Sequence, residues 1–173
     1  DDLVIAPEEV HTRAVSIEAA PHRVWPWLVQ FGLGKAGFYS YELLERLVGI
    51  PVTNLESIEA SMQTLRVGDE ILLHPKAPGI PVAYIEQERH ICFGKVPSSG
   101  LEPDDPPRSW SLYLEPGPEP EHSCRLLLRS CIGRPSTLKK RLALHIDEPI
   151  DFVMEQRMLR TLKRLAEQDV AGS

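Results

Sequence analysis

Apolar and polar residues change rhythm along this chain, and each change marks an element. Over residues 11–17, Val15 and Ile17 alternate with polar neighbours, the period-two pattern of a half-buried strand. Over 21–31 the period lengthens: Val24, Trp27, Leu28 and Phe31 recur at helical spacing. Pro21 suits the first turn of that helix, where its missing N–H is not needed. Pro26 sits early enough to kink the helix without breaking it. A glycine turn follows. A second helix is predicted near 41–48, with Leu43, Leu44 and Leu47 at helical spacing and Gly49 and Pro51 as its stop. Residues 52–66 read as irregular or weakly helical.

From Val67 the pattern becomes short β-type runs at 70–74, 82–87, 90–96, 110–115 and 125–132. Proline- and glycine-rich turns separate them, as at 75–81, 97–107 and 116–121. Trp110, Leu112 and Leu114 alternate with Ser111, Tyr113 and Glu115, as expected of a sheet with one wet face. Leu126, Leu128 and Ile132 alternate with Arg125 and Arg129 in the same way. The chain closes on a long helix predicted over 148–168. Its Ile150, Met154, Met158, Leu162 and Leu165 form an apolar stripe, with Arg157, Arg160, Lys163 and Arg164 on the other side. At 1.5 Å per residue such a helix is about 30 Å long, enough to cross a sheet. His145, Ile146, Asp147 and Glu148, just before Pro149, read as a loop leading into this helix and its acidic first turn. One strand, two helices, a run of strands and a final helix make an α+β fold with an antiparallel sheet.

Gly32, Gly34 and Gly37 spell G-x-G-x-x-G, a pattern that in dinucleotide-binding proteins brings a turn close to a pyrophosphate. That chemistry needs a strand before the first glycine and a helix opening at the third. Here a helix precedes it. A flexible turn between two helices is the better reading.

Composition narrows the function classes. The 173 residues suit one domain, 1–173, with a single core and room for a cavity. Net charge is −6, from 19 basic and 25 acidic residues, which disfavours a nucleic-acid partner. No apolar run approaches the roughly 20 residues that span a bilayer. Residue 1 is Asp, which leaves room for an upstream signal or anchor. The three cysteines form no disulfide framework, because Cys124 and Cys131 fall on one strand about 23 Å apart. No Cys/His spacing resembles a zinc site, and neither a metal nor a cofactor is expected.

The order of elements, with VWPWLVQFG-x-G-x-x-GFYSYELLE (24–45), VGDEILLHP (67–75), PVAYIE (81–86), WSLYLEP (110–116), RLLLRS (125–130) and FVMEQRML (152–159), resembles bacterial members of the SRPBCC, or START-like, superfamily. The resemblance runs from about residue 10 to 168 and extends to polyketide cyclase/dehydrase and lipid-transport-type proteins. It implies a helix-grip fold: a curved antiparallel sheet of about six to seven strands around the long C-terminal helix, with two short helices after the first strand. Residues 1–9 would be an N-terminal extension and 32–66 an extended, lid-like connection. It further implies a deep apolar cavity between sheet and helix. Some relatives carry an N-terminal membrane segment, so the domain is expected to be cytoplasmic or tethered to a membrane by such a segment.

Three functions follow as expectations. The first is binding or transport of a hydrophobic small molecule such as a lipid, polyketide or sterol. Its candidate site residues are Phe38, Tyr41, Leu72, His74, Tyr84, Trp110, Leu112, Leu128, Met154 and Met158. The hydroxyls of Tyr39, Tyr41 and Tyr84 would orient the ligand. The second is a cyclase- or dehydratase-type enzyme in the same cavity, with His74 as the weak candidate base beside Tyr41 or Arg129. The third is a docking module, in which Lys139, Lys140, Arg141 and the basic helix face meet an acidic partner or an anionic membrane.

Overall fold

A computed structural model describes residues 3–4, 7–40, 53–73, 75, 78–94, 108–133 and 138–171, with no side-chain description over 138–151 and 170–171. In the first strand, β1 (Glu9–Ile17), alternation persists to the last residue. Val10, Thr12, Ala14 and Ser16 are exposed, while Glu9, His11, Arg13, Val15 and Ile17 turn inward. The helix α1 (Pro21–Val29) follows, with Pro21 in its first turn and Val24, Trp27, Leu28 and Val29 buried. Pro26 lies within the helix, and the carbonyl it deprives of a partner belongs to His22, an exposed residue.

The strands β2 (Glu70–Ile71), β3 (Ile80–Glu86), β4 (His90–Gly94), β5 (Arg108–Pro116) and β6 (Cys124–Ile132) complete a six-stranded antiparallel sheet in the order β1-β6-β5-β4-β3-β2. Register puts Val15, Leu126 and Leu114 in one inward row, and Arg13, Leu128, Leu112 and Ile91 in the next. His11, Ser130, Trp110 and Phe93 make a third. Cys124 faces inward and Cys131, an odd number of residues later, outward, so the two thiols lie on opposite faces. Burial pushes the Cys124 thiol up to about 11.

The last helix, α2 (Leu138–Ala171), is longer than its predicted 148–168 span. Residues 145–148, expected in a loop, are helical. Leu138 to Leu144 are strong helix formers, so the helix starts upstream and runs through Pro149 at the loss of one hydrogen bond. Met158, Leu159, Leu162, Leu165 and Ala166 enter one core with Ile17, Trp27, Leu112, Leu114, Leu126 and Leu128. Leu159 and Ala166 widen the predicted stripe, as an i, i+3, i+4 face requires. Toward its other end Met154 is half-buried, and Phe152 and Val153 are exposed. Two side chains of α2 also reach the free edge of β1: Lys163 Nζ donates to the Ser16 carbonyl at 2.7 Å, and Glu167 Oε1 accepts from the Glu18 amide at 2.8 Å. Among the described residues, no helix is long and apolar enough to cross a membrane.

Other expectations shift in detail. Residues 52–66 hold a single 3-10 turn, Ala60–Met62, among the described part. The 41–48 helix lies outside the described residues. The strand expected at 70–74 shortens to two residues.

The outer face of the sheet is not uniformly wet. Cys92, Ser109, Ser111 and Cys131 are buried there, Val4 of the N-terminal extension is 3% exposed, and Leu3 Cδ1 lies over Gly94. Nearby, His90 sits between Tyr84 and Tyr113, ring centroids 5.3 and 5.8 Å away. Burial pushes its imidazole below the usual 6.5. The folded state therefore binds this proton less readily than the unfolded chain, and stability falls as pH drops below 6.5 until the lower folded value is passed. His90→Phe, which keeps a ring between the tyrosines, should flatten the fall in urea-unfolding stability from neutral pH to pH 5. An unchanged pH profile would contradict this assignment.

Candidate functional site

The glycine motif is built as a closed turn. Gly32, Gly34 and Gly37 have φ of 127°, 78° and 85°, values that favour glycine. The Gly32 amide donates to the Gly37 carbonyl at 2.9 Å, and the Gly37 amide returns the bond at 3.1 Å. Lys35, Ala36 and Leu33 donate to the carbonyls of Gly32, Gln30 and Leu72. Phe38 and Tyr39 donate to Asn54 Oδ1 at 2.9 and 2.7 Å. These amides are already committed, so the turn offers no cradle for a pyrophosphate. It is also less flexible than the spacing suggested.

The turn delivers Tyr39 to a buried polar network. Fully buried Gln30 donates through Nε2 to Tyr39 Oη at 2.9 Å and to the Ser57 carbonyl at 3.0 Å. Its Oε1 accepts from the Glu59 amide and from Gln63 Nε2, both at 3.1 Å. Tyr39 Oη in turn donates to the Trp27 carbonyl at 3.1 Å. Burial pushes the Tyr39 phenol far above its usual value and keeps it neutral. The hydroxyl expected to orient a ligand is therefore bound within the fold.

One end of the inner sheet face gathers the remaining chemistry. Phe31 stacks on Phe38 at 5.4 Å and on Trp110 at 5.2 Å, and Phe93 lies 5.9 Å from Trp110. Next to this aromatic wall the same face carries Ser130, His11, Glu9 and Arg13. His11 Nε2 is 3.5 Å from Glu9 Oε2. Arg13 is ion-paired with Glu155 of α2, and its guanidinium carbon lies 5.0 Å from the centre of the Phe152 ring. Ser40 Oγ donates to the Met154 carbonyl at 3.2 Å, tying the end of the turn region to α2. Trp110, His11, Ser130 and Met154 stay half-buried, although all but Met154 lie on the sheet face that α2 covers elsewhere. Among the described residues, no group of three or more His, Cys, Asp or Glu side chains could hold a metal.

The predicted site residues divide into four groups. Phe38, Trp110 and Met154 border this region. Leu112, Leu128 and Met158 face inward but lie sealed in the core at 1%, 0% and 3% exposure. Tyr41 and His74 fall outside the described residues.

Leu72 and Tyr84 require correction. Leu72 is 42% exposed just past the end of β2, while its neighbours Ile71 and Leu73 pack against the core. Tyr84 is 47% exposed on the outer face. Strict alternation from inward Val82 would turn it inside, but a bulge between Val82 and Tyr84 reverses the parity and gives Ile85 the inner place. Arg129 also faces outward, with Nη1 3.3 Å from Thr12 Oγ1, away from any inner catalytic group. On α2, Lys163 is paired with Glu167, and Arg164 with Glu56 and Gln168, so part of the basic face is neutralised within the fold.

No family model matches the chain, and no curated protein matches it in sequence. Solved structures do. A protein of Nitrosomonas europaea aligns over 96% of this chain and 99% of its own at 14% identity, with a TM-score of 0.56. One from Chromobacterium violaceum aligns over 91% and 96% at 17% identity and a TM-score of 0.51. One from Nitrosospira multiformis aligns over 90% and 94% at 12% identity, also with a TM-score of 0.51. The fold is the helix grip. At these identities the likeness extends to the fold alone.

The glycine turn sets a test of the local geometry. A Cβ at Gly37 would sit 2.5 Å from Asn54 Oδ1, whereas one at Gly34 meets nothing within 4 Å. Gly34→Ala should cost about 1 kcal/mol from its left-handed backbone alone. Gly37→Ala should cost several-fold more in urea denaturation and release the Phe38 and Tyr39 amides to hydrogen exchange. Equal losses would show that Asn54 does not clamp the turn.

Proposed function

We propose that this helix-grip protein binds an apolar small molecule between the sheet and α2, as the resemblance to the SRPBCC superfamily implies. The supporting observation is the incomplete burial of an inward row. His11, Ser130 and Trp110 point to the side that α2 covers, yet remain accessible, while the neighbouring row of Leu128 and Leu112 is sealed. Accessible aromatic surface on an inner face, with few convergent polar groups, is the usual make-up of a ligand site. Trp110 would supply the accessible apolar contact, backed by the buried rings of Phe31, Phe38 and Phe93. The polar set on β1 would orient the guest.

An acid–base enzyme in the same site is the second reading, and it rests on His11. An imidazole beside a carboxylate, with a guanidinium one inward position away, has the parts for proton transfer next to a developing oxyanion. His11 takes the role that the sequence suggested for His74.

Binding of the neutral dye Nile red, together with native mass spectrometry of freshly purified protein, tests both readings. Trp110→Ala should weaken dye affinity about tenfold, as expected for a buried aromatic contact. Tyr84→Ala on the outer face should leave affinity unchanged. The binding reading falls if wild type neither binds the dye nor carries an apolar guest, or if the two variants weaken binding equally. If a guest is found and is converted, His11→Gln should abolish turnover and leave dye affinity intact; retained turnover would remove the enzymatic reading.

A further inference from the structure

Arg13 is the anomaly of the inner face. Register places it in one row with Leu128, Leu112 and Ile91, so a single cation heads three apolar side chains. Its side chain is 10% exposed and that of its ion-pair partner Glu155 is 14% exposed. Phe152 covers one face of the guanidinium, and Nε has no hydrogen-bond partner among the described residues. Such a pair is a poor device for stability, because taking two charges out of water offsets most of their attraction, and well-packed apolar replacements are often no less stable. A guanidinium offers five N–H donors in a fixed plane that matches a carboxylate. Glu155 already shows that a carboxylate fits beside it.

We propose that Arg13 is the anchor for a carboxylate on the apolar ligand, which makes that ligand an amphipathic monocarboxylic acid. The inference rests on the ligand-binding reading above. The acid group sits at Arg13, where it takes up guanidinium N–H donors, and the apolar body runs along Trp110, which Phe31 and Phe93 back. Glu155 holds the guanidinium in place and competes for it. Glu155 also sets the charge of the guest: a carboxylate beside the anchor repels a dianionic phosphate more strongly than a monoanion.

Displacement of Nile red by decanoate and by decanol, at neutral pH, separates the anchor from simple apolar binding. In wild type, decanoate should displace the dye at about a tenfold lower concentration than decanol, as a charge-assisted bidentate contact implies. Arg13→Met should erase that preference and leave decanol unchanged. Glu155→Gln, which removes the competing charge and keeps Arg13, should tighten decanoate several-fold. If Arg13→Met fails to fold because Glu155 loses the guanidinium beside it, the double variant Arg13→Met/Glu155→Leu removes both charges and should show the same loss of preference. Equal displacement by acid and alcohol in wild type, or a preference that survives in the neutral variant, overturns the anchor while binding stands. If neither the dye nor either competitor binds wild type, the binding reading and the anchor fall together.

Discussion

Burial of Met158, Leu159, Leu162, Leu165 and Ala166 in one core with Ile17, Leu126 and Trp27 fixes the pose of α2, and much of the structure follows from that pose. Trp27 Nε1 donates to Asp169 Oδ2 at 3.2 Å, and Arg23 Nη1 to the Asp169 carbonyl at 3.3 Å, so α1 also holds the end of the helix. A helix held over this stretch has no freedom in where its earlier turns point. Met154, Glu155 and Phe152 are carried to β1, where the inward residues are no longer apolar. The apolar half of the interior thus dictates the arrangement of the polar half. A charge at Arg13 is tolerable because rigid packing that begins one turn further along α2 delivers Glu155 to it.

The fold was legible because its two periods are strongly written. Trp110, Leu112 and Leu114, or Met158, Leu162 and Leu165, leave little choice of face, and all of them turn inward. The site was less legible, for reasons that differ residue by residue. In β1 the alternation of Val15 and Ile17, continued backwards, places Arg13, His11 and Glu9 inside. Charged residues ordinarily mark the solvent side, and that expectation concealed the signal. Tyr84 obeys the pattern and still points outward, because a one-residue bulge changes parity without a distinctive composition. Proline misled at the start of α2: Pro149 carries a real penalty, and the helix formers upstream outweigh it.

The turn at Gly32–Gly37 shows how a local motif can hold its geometry without its familiar chemistry. Glycines are needed there because the backbone adopts positive φ and because Asn54 approaches too closely for a side chain at Gly37. What the turn secures is the placement of Tyr39 beneath Gln30, where a hydroxyl and a carboxamide satisfy each other and several loop groups. Gln30 and Tyr39 are buried with their polar groups satisfied by one another and by Trp27, Ser57, Glu59 and Gln63, so α1 and residues 57–63 are joined by one polar network.

The two side chains that reach the margin of β1 have a meaning for the protein in a crowded cell. An unpaired strand margin is a template on which another chain can add itself. Lys163 supplies a donor to Ser16 and Glu167 an acceptor to Glu18, so α2 mimics part of a neighbouring strand at the end of that margin. At the far side the terminal strand is only two residues long, too short to nucleate growth. Brevity thus limits growth at one flank, and at the other the helix blocks the final rung where an added strand would have to register.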